Sequence, residues 1–255
     1  MYGVHLHRDQ DRRTLYTMSS EPVTSRPTLS TARVIEAAVA LADREGLDGL
    51  SMRELAQRLG VVPMALYKHV ANKDDLLDGM VDTVWAEVEA PSSELGWREA
   101  MRRRSISLRS ALLRHRWAVG MMESRMRPGP ANLSRHDAMM GCLRRSGFSF
   151  RTTVHVTSVL DAYVYGFALQ QKTLPFGTPE ESGETAARKL EATPPELAAM
   201  YPHLLEVVAE LARAGYDYDE EFLTGLDLVL DGIEQLRPGW ATADRAPRPP
   251  IGGHG

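Results

Sequence analysis

Apolar residues recur along most of this chain every three or four positions, the period of a helix buried on one face, and nowhere alternate over a useful length as a half-buried strand would. The pattern predicts an all-α fold. Ser30 or Thr31 offers an N-cap to a first helix whose buried face is Val34, Ile35, Ala38, Leu41 and Ala42, closing at Gly46. Ser51-Met52-Arg53-Glu54 has the form of a capping box, in which the Ser hydroxyl accepts from the fourth residue's amide and Glu54 reaches back. A second helix therefore runs through Leu55, Ala56 and Leu59 to Gly60, which permits a tight turn. Pro63 suits a first helical position, and a short third helix follows to about Val70.

Asn72 caps a fourth helix, with Asp74 and Asp75 in the first turn where the helix dipole favours negative charge. Its buried face is Leu76, Leu77, Met80, Val81, Val84, Trp85 and Val88, and Pro91 ends it. Further helical patterns cover 97–115, 118–125, 130–146, 149–172, 202–214 and 221–236, while the Gly-, Pro- and Glu-rich stretch 173–193 reads as a mobile loop. Residues 1–27 read as a flexible arm, with Met18 an alternative start, and residues 238–255 as a disordered tail. The chain thus divides into a small helical unit at 28–75 and a larger one at 76–237, joined by the fourth helix.

Composition narrows the class. A 43% apolar and 25% charged chain of 255 residues is ordinary for a folded protein. No apolar run reaches the roughly 18 residues of a membrane span, so no membrane association is expected, and the chain should stay in the cytoplasm. The single cysteine, Cys142, has no partner for a disulfide or zinc site and reads as a small core hydrophobe. A net charge of −4 excludes a protein that coats nucleic acid indiscriminately, but leaves room for a local basic face.

Such a face is predicted at the third helix. A capped helix, a Gly turn and a Pro-started short helix form the helix-turn-helix arrangement, whose second element enters the major groove. Its outward positions are Met64, Ala65, Tyr67, Lys68 and His69, which offer apolar contact to thymine methyls, a hydroxyl, an imidazole and a cation. Lys73 can neutralise a phosphate, and Arg53 can reach a phosphate or a guanine edge. Short capped helices with a Gly turn also occur in domains that bind no DNA, so this pattern alone leaves the function open.

The full string LSTARVIEAAVALADREGLDGLSMRELAQRLGVVPMALYKHVANKDDLLDGMVDTVW resembles the N-terminal domain of the tetracycline-repressor (TetR/AcrR) family of bacterial regulators. The specific element is Leu66-Tyr67-Lys68-His69-Val70-Ala71-Asn72-Lys73-Asp74-Asp75-Leu76-Leu77. The resemblance implies a ligand-released repressor that binds double-stranded operator DNA as a homodimer. It places Tyr67 and Lys73 on phosphates, His69 and Arg53 on phosphate or base, and Pro63 with Met64 against base edges. Val62, Pro63, Met64 and Ala65 lack a polar base-reading side chain, which points to apolar or shape-based readout.

Weaker similarity continues to the C-terminal domain of the tetracycline repressors, where the last two long helices pair into a dimer bundle and central helices enclose a pocket. Phe222, Leu226, Val229, Leu230, Ile233 and Leu236 form one apolar stripe and Val156, Val159, Leu160, Tyr163, Val164 and Phe167 another; each could pair with a second copy or face the chain's own core. Methionines gather in the expected pocket helices at Met101, Met121, Met122, Met126, Met139 and Met140, as an adaptable cavity or ordinary core filling would require. Trp85, Trp117, His136, Tyr163, Phe167 and Gln170 add stacking surface and a few polar groups.

In the tetracycline repressors the drug arrives with magnesium held by a His, a Thr and, indirectly, a Glu. The matching stretches here read Met121-Met122-Glu123-Ser124-Arg125-Met126 and Ala168-Leu169-Gln170, so no metal or cofactor and a largely apolar effector are expected. An enzyme using His115, His136, Asp137 or Asp161 is the distant rival, because no nucleophile elbow, zinc pattern, phosphate loop or dinucleotide fingerprint occurs. A constitutive DNA-binding dimer without sensing is the nearer one.

Overall fold

The computed structural model describes residues 28–236 apart from positions 93 and 123, so the expected arm, the tail and Glu123 lie outside the described residues. Described residues form helices and connections with no strand, as the apolar period predicts. α1 (Thr31–Glu45), α2 (Met52–Leu59), α3 (Pro63–Leu66) and α4 (Lys73–Ala86) come first. Their starts are fixed by side chains: Ser30 accepts from Arg33 N at 3.3 Å, Ser51 from Glu54 N at 3.1 Å and Asn72 from Asp75 N at 2.9 Å. Asp75 completes a reciprocal box by accepting from Ala71 N at 2.8 Å. Gly60 ends α2 in the left-handed region, φ 66 and ψ 35, which turns the chain into α3 without a Cβ clash. α3 is only four residues long; Tyr67, Lys68 and His69 continue it as a turn.

α5 (Trp97–Arg114), α6 (Pro130–Arg145), α7 (Phe150–Thr173) and α11 (Tyr218–Glu234) build the larger unit, in which α7 packs on α5, α6 and α11. α4 crosses from the small unit into it, packing on α1, α5 and α6. Two expectations fail here. The stretch 118–125 makes one 3-10 turn, Ala118–Gly120, and then leaves helical geometry, with the Ser124 hydroxyl within hydrogen-bond reach of the Gly120 and Met121 carbonyls. The stretch 173–193 is not a loop throughout: it holds α8 (Pro179–Glu191), capped by Thr178 accepting from Glu181 N at 3.3 Å while Glu181 accepts from Gly177 N at 2.7 Å. α9 (Pro195–Met200) and α10 (Pro202–Ala214) follow, and α10 packs along α8.

The two apolar stripes face mostly inward. Phe222, Leu226, Leu230, Ile233, Val156, Leu160 and Val164 are buried within one chain, closing α7 and α11 over α5. Val159 of the expected stripe instead points out, as do Phe150, Val154 and Leu169 on α7 and Leu228 on α11. Among the described residues no helix is long and apolar enough to cross a membrane.

Candidate functional site

Two regions carry the expected chemistry, and α4 connects them. The first is the outer face of α2 and α3. Leu55, Ala56, Leu66 and Val70 bury the inner side of this unit, and Arg58 ties α2 back to α1 through Glu45 while also pairing with Glu54 of its own helix at 3.1 Å. The outer side is consequently held still and open. Met64 is 72% exposed and Tyr67 45%; Arg53, Pro63 and Lys68 are exposed, and Ala65 and His69 half-buried. The His69 carbonyl accepts from Thr31 Oγ1 at 3.2 Å, fixing the end of this turn on α1. Lys73 spends one N–H on the Leu50 carbonyl at 3.0 Å, and its ammonium keeps two further donors on an exposed residue. The eight residues singled out for DNA contact lie on α2, on α3 and the turn after it, and at the start of α4, six of them exposed and two half-buried.

The second region lies between α4, α5, α6 and α7. Trp85 is fully buried, its ring 4.8 Å from that of His136 and tilted by 59°. Arg104 Cζ stands 6.0 Å from the Trp85 ring centre, and Arg104 Nη1 donates to Asp161 at 2.8 Å. Met101, one turn before Arg104, and Met139, one turn after His136, are fully buried. Neither Arg104 nor Asp161 was singled out as a binding residue from the sequence, since a pair 57 positions apart leaves no local signal.

The other expected pocket residues scatter. Tyr163 and Phe167 pack on Phe222, with ring centres 5.4 and 5.2 Å away, and the Tyr163 hydroxyl donates to the Phe222 carbonyl. Trp117 is buried elsewhere, its Nε1 donating to Asp43 of α1 at 2.7 Å. Met122 is buried and Met121 half-buried beside the 3-10 turn. Met126 is 94% exposed, and Met140 and Gln170 also face outward, so this chain's own core does not enclose them. Several open clefts lie apart from Trp85, among them one of about 400 Å³ lined by Asp74, Asp75, Asp78 and Arg125 and one of about 250 Å³ lined by Phe176, Leu211 and Tyr218. Among the described residues no three His, Cys, Asp or Glu side chains gather as metal ligands.

Two polar junctions join the regions. Arg125, in the segment after the 3-10 turn, donates to Asp78 at 2.5 Å and to the Asp74 carbonyl at 3.1 Å in the first turns of α4. His115, at the end of α5, bridges Asp43 of α1 at 2.8 Å and Glu87 after α4 at 3.0 Å. Burial alone would push the Glu87 carboxyl up, but hydrogen bonds from Arg114 and His115 outweigh it and hold its pKa below the ordinary value.

Residues 34–80 match the family of bacterial regulatory proteins called tetR, and residues 90–237 match the tetracyclin repressor-like C-terminal domain. The chain is 36% identical over 223 residues to the HTH-type transcriptional repressor DrrR1 of Streptomyces coeruleorubidus, covering 83% of this chain and 79% of that one. It is 31% identical to the class A tetracycline repressor protein from transposon 1721 in Escherichia coli, over 80% of this chain and 90% of that one. Among solved structures, Streptomyces coelicolor ActR in complex with actinorhodin superposes with a TM-score of 0.70 at 31% identity, covering 84% of this chain and all of the other. A single-residue variant of TetR from Acinetobacter baumannii, in complex with minocycline, gives a TM-score of 0.60 at 28% identity, covering 85% and 98%. The exposed helix-turn-helix face, the helical body behind it and these relatives agree: the chain belongs to the tetR family of bacterial regulatory proteins, and is a ligand-responsive, DNA-binding transcriptional repressor rather than an enzyme.

Proposed function

We propose that this protein holds a palindromic operator as a homodimer and lets go when a small effector enters between α4, α5, α6 and α7. The observation that carries the reading is the exposed set Met64, Tyr67 and Lys68 on a unit whose inner face is fully buried. Residues 28–75 form the DNA-reading head and 76–237 the sensor body. Arg53, Lys68, His69 and Lys73 contact backbone or base, and Pro63, Met64 and Ala65 supply apolar contact in the groove. The outward side chains Phe150, Val154, Val159 and Leu169 on α7, with Leu228 on α11, mark the surface for the second copy, because exposed large apolar side chains favour association. Two heads related by two-fold symmetry then sit about 34–36 Å apart, one turn of DNA.

The effector site centres on Trp85, Met101, His136 and Met139, which share the α4–α6 interior. The proteins similar in structure are named with actinorhodin and minocycline bound, and a small molecule is taken as the effector here too. Its entry displaces buried side chains that pack on α4, and Arg125 and His115 carry the movement to the head. To release DNA, the effector must bind the DNA-incompetent arrangement more tightly, by about 1.4 kcal/mol per tenfold loss of operator affinity. Fluorescence anisotropy with a fragment of the gene's own upstream region tests the reading. It predicts binding well above that to scrambled DNA of equal length, and equal binding to both refutes it.

A further inference from the structure

We propose that the effector is a planar aromatic acid whose carboxylate seats on Arg104, an inference that rests on placing the effector site around Trp85. Arg104 is 1% exposed, and only its Nη1 has a partner, the Asp161 carboxylate. Its Nε and Nη2 are buried with no hydrogen-bond partner, and so is Trp85 Nε1. Buried donors without acceptors are uncommon in folded chains, and a cationic one is the most costly to leave unpaired. Nε–H and Nη2–H leave the planar guanidinium along the same edge and nearly parallel, the fork that accepts both oxygens of one carboxylate.

The remaining features of the group fit the rest of such a molecule. All three orphaned nitrogens are donors and the acid beside them, Asp161, is already engaged, so the Arg104 edge asks for acceptor oxygens; the buried Ser105 and Thr153 hydroxyls, likewise without a partner, can donate as well as accept. The Trp85 ring centre lies 6.0 Å from the guanidinium carbon and 4.8 Å from the His136 ring centre, and presents aromatic surface near the fork. Met101 and Met139 are unbranched and flexible, and can shift to admit a flat apolar body. The sequence alone suggests a largely apolar effector; the Arg104 edge adds one acidic end to it.

The test is isothermal titration calorimetry of the full chain with anthraquinone-2-carboxylate and with its methyl ester, which keeps the rings and removes the charge and the paired acceptors. The acid should bind the wild type about tenfold or more tighter than the ester. In the Arg104→Gln/Asp161→Asn double variant, which leaves no lone buried charge, that preference should shrink to about twofold or less. If this variant does not fold by circular dichroism, Arg104→Lys, which keeps the charge but not the fork, should lose most of the preference instead. Equal binding of acid and ester, binding of neither, or an unchanged preference in the folded variant overturns the proposal. Anisotropy on operator DNA separates this from the sensor reading. Arg104-dependent binding without DNA release sinks the sensor and leaves the acid site standing, whereas release by acid and ester alike does the reverse.

Discussion

Arg125 should couple to Asp78 and hardly at all to Asp74, although it contacts both. Its Nε reaches Asp78 Oδ1 at 2.5 Å, and its Nη2 reaches the Asp74 carbonyl at 3.1 Å and the Asp74 carboxylate at 3.3 Å. The side chains of Arg125 and Asp78 are 17% and 19% exposed, whereas that of Asp74 is 81% exposed. A charge-assisted hydrogen bond largely shielded from water contributes about 1.5–3 kcal/mol. An ion pair with one partner in open solvent contributes about 0–1 kcal/mol. Double-mutant cycles by urea denaturation at fixed protein concentration separate the two: Arg125→Ala with Asp78→Asn should give a coupling of about 1.5–2 kcal/mol, and with Asp74→Asn below about 0.5 kcal/mol. The Asp74 backbone bond is lost with Arg125 in both cycles and cancels. Equal couplings, or a value below about 0.5 kcal/mol for the Asp78 cycle, would refute the argument that burial decides which contact ties the segment after the 3-10 turn to α4.

Further predictions concern single groups. The Glu87 carboxyl is held below its ordinary value, so the stability it lends is present above the unfolded-state pKa and is lost as pH falls through the lowered folded one. Glu87→Gln should therefore lose less stability than the wild type between about pH 6 and about pH 3; parallel thermal-shift curves over that window would count against the His115 and Arg114 contacts. Burial pushes the Cys142 thiol up, and the residue is 4% exposed. Dithionitrobenzoate should modify it only when denaturant is added, and fast labelling of the native protein would contradict its place in the core.

The head was legible because its signals are local. Ser51 with Glu54, Gly60, Pro63 and Asn72 each fix one end of an element through bonds to neighbours a few positions away. The same signal stood at Thr178 and Glu181, but Gly177, Pro175 and the surrounding acids masked it, and α8 went unread. Period alone could not decide the stripes on α7, since that helix is apolar on both its inner side, Val156 and Leu160, and its outer side, Val154 and Val159. Which side faces the chain's own core depends on α5 and α11, far away in sequence. The aromatic and sulfur side chains of the interior around Trp85 are legible by residue type, whereas Arg104, in a run with Arg102 and Arg103, carries no local mark of its burial, which its pairing with Asp161 of α7 accompanies.

The central claim is that two copies of the α2–α3 face grip one operator, and the salt dependence of operator binding by wild type and Lys68→Ala tests it most directly. Each phosphate neutralised contributes about 0.9 to the slope of log affinity against log salt concentration. A dimer carries two copies of Lys68, so the slope should become shallower by about 1.8, with affinity for specific and scrambled DNA falling alike. An unchanged slope would contradict the DNA-facing placement of Lys68, and a change of only about 0.9 would contradict the two-fold grip.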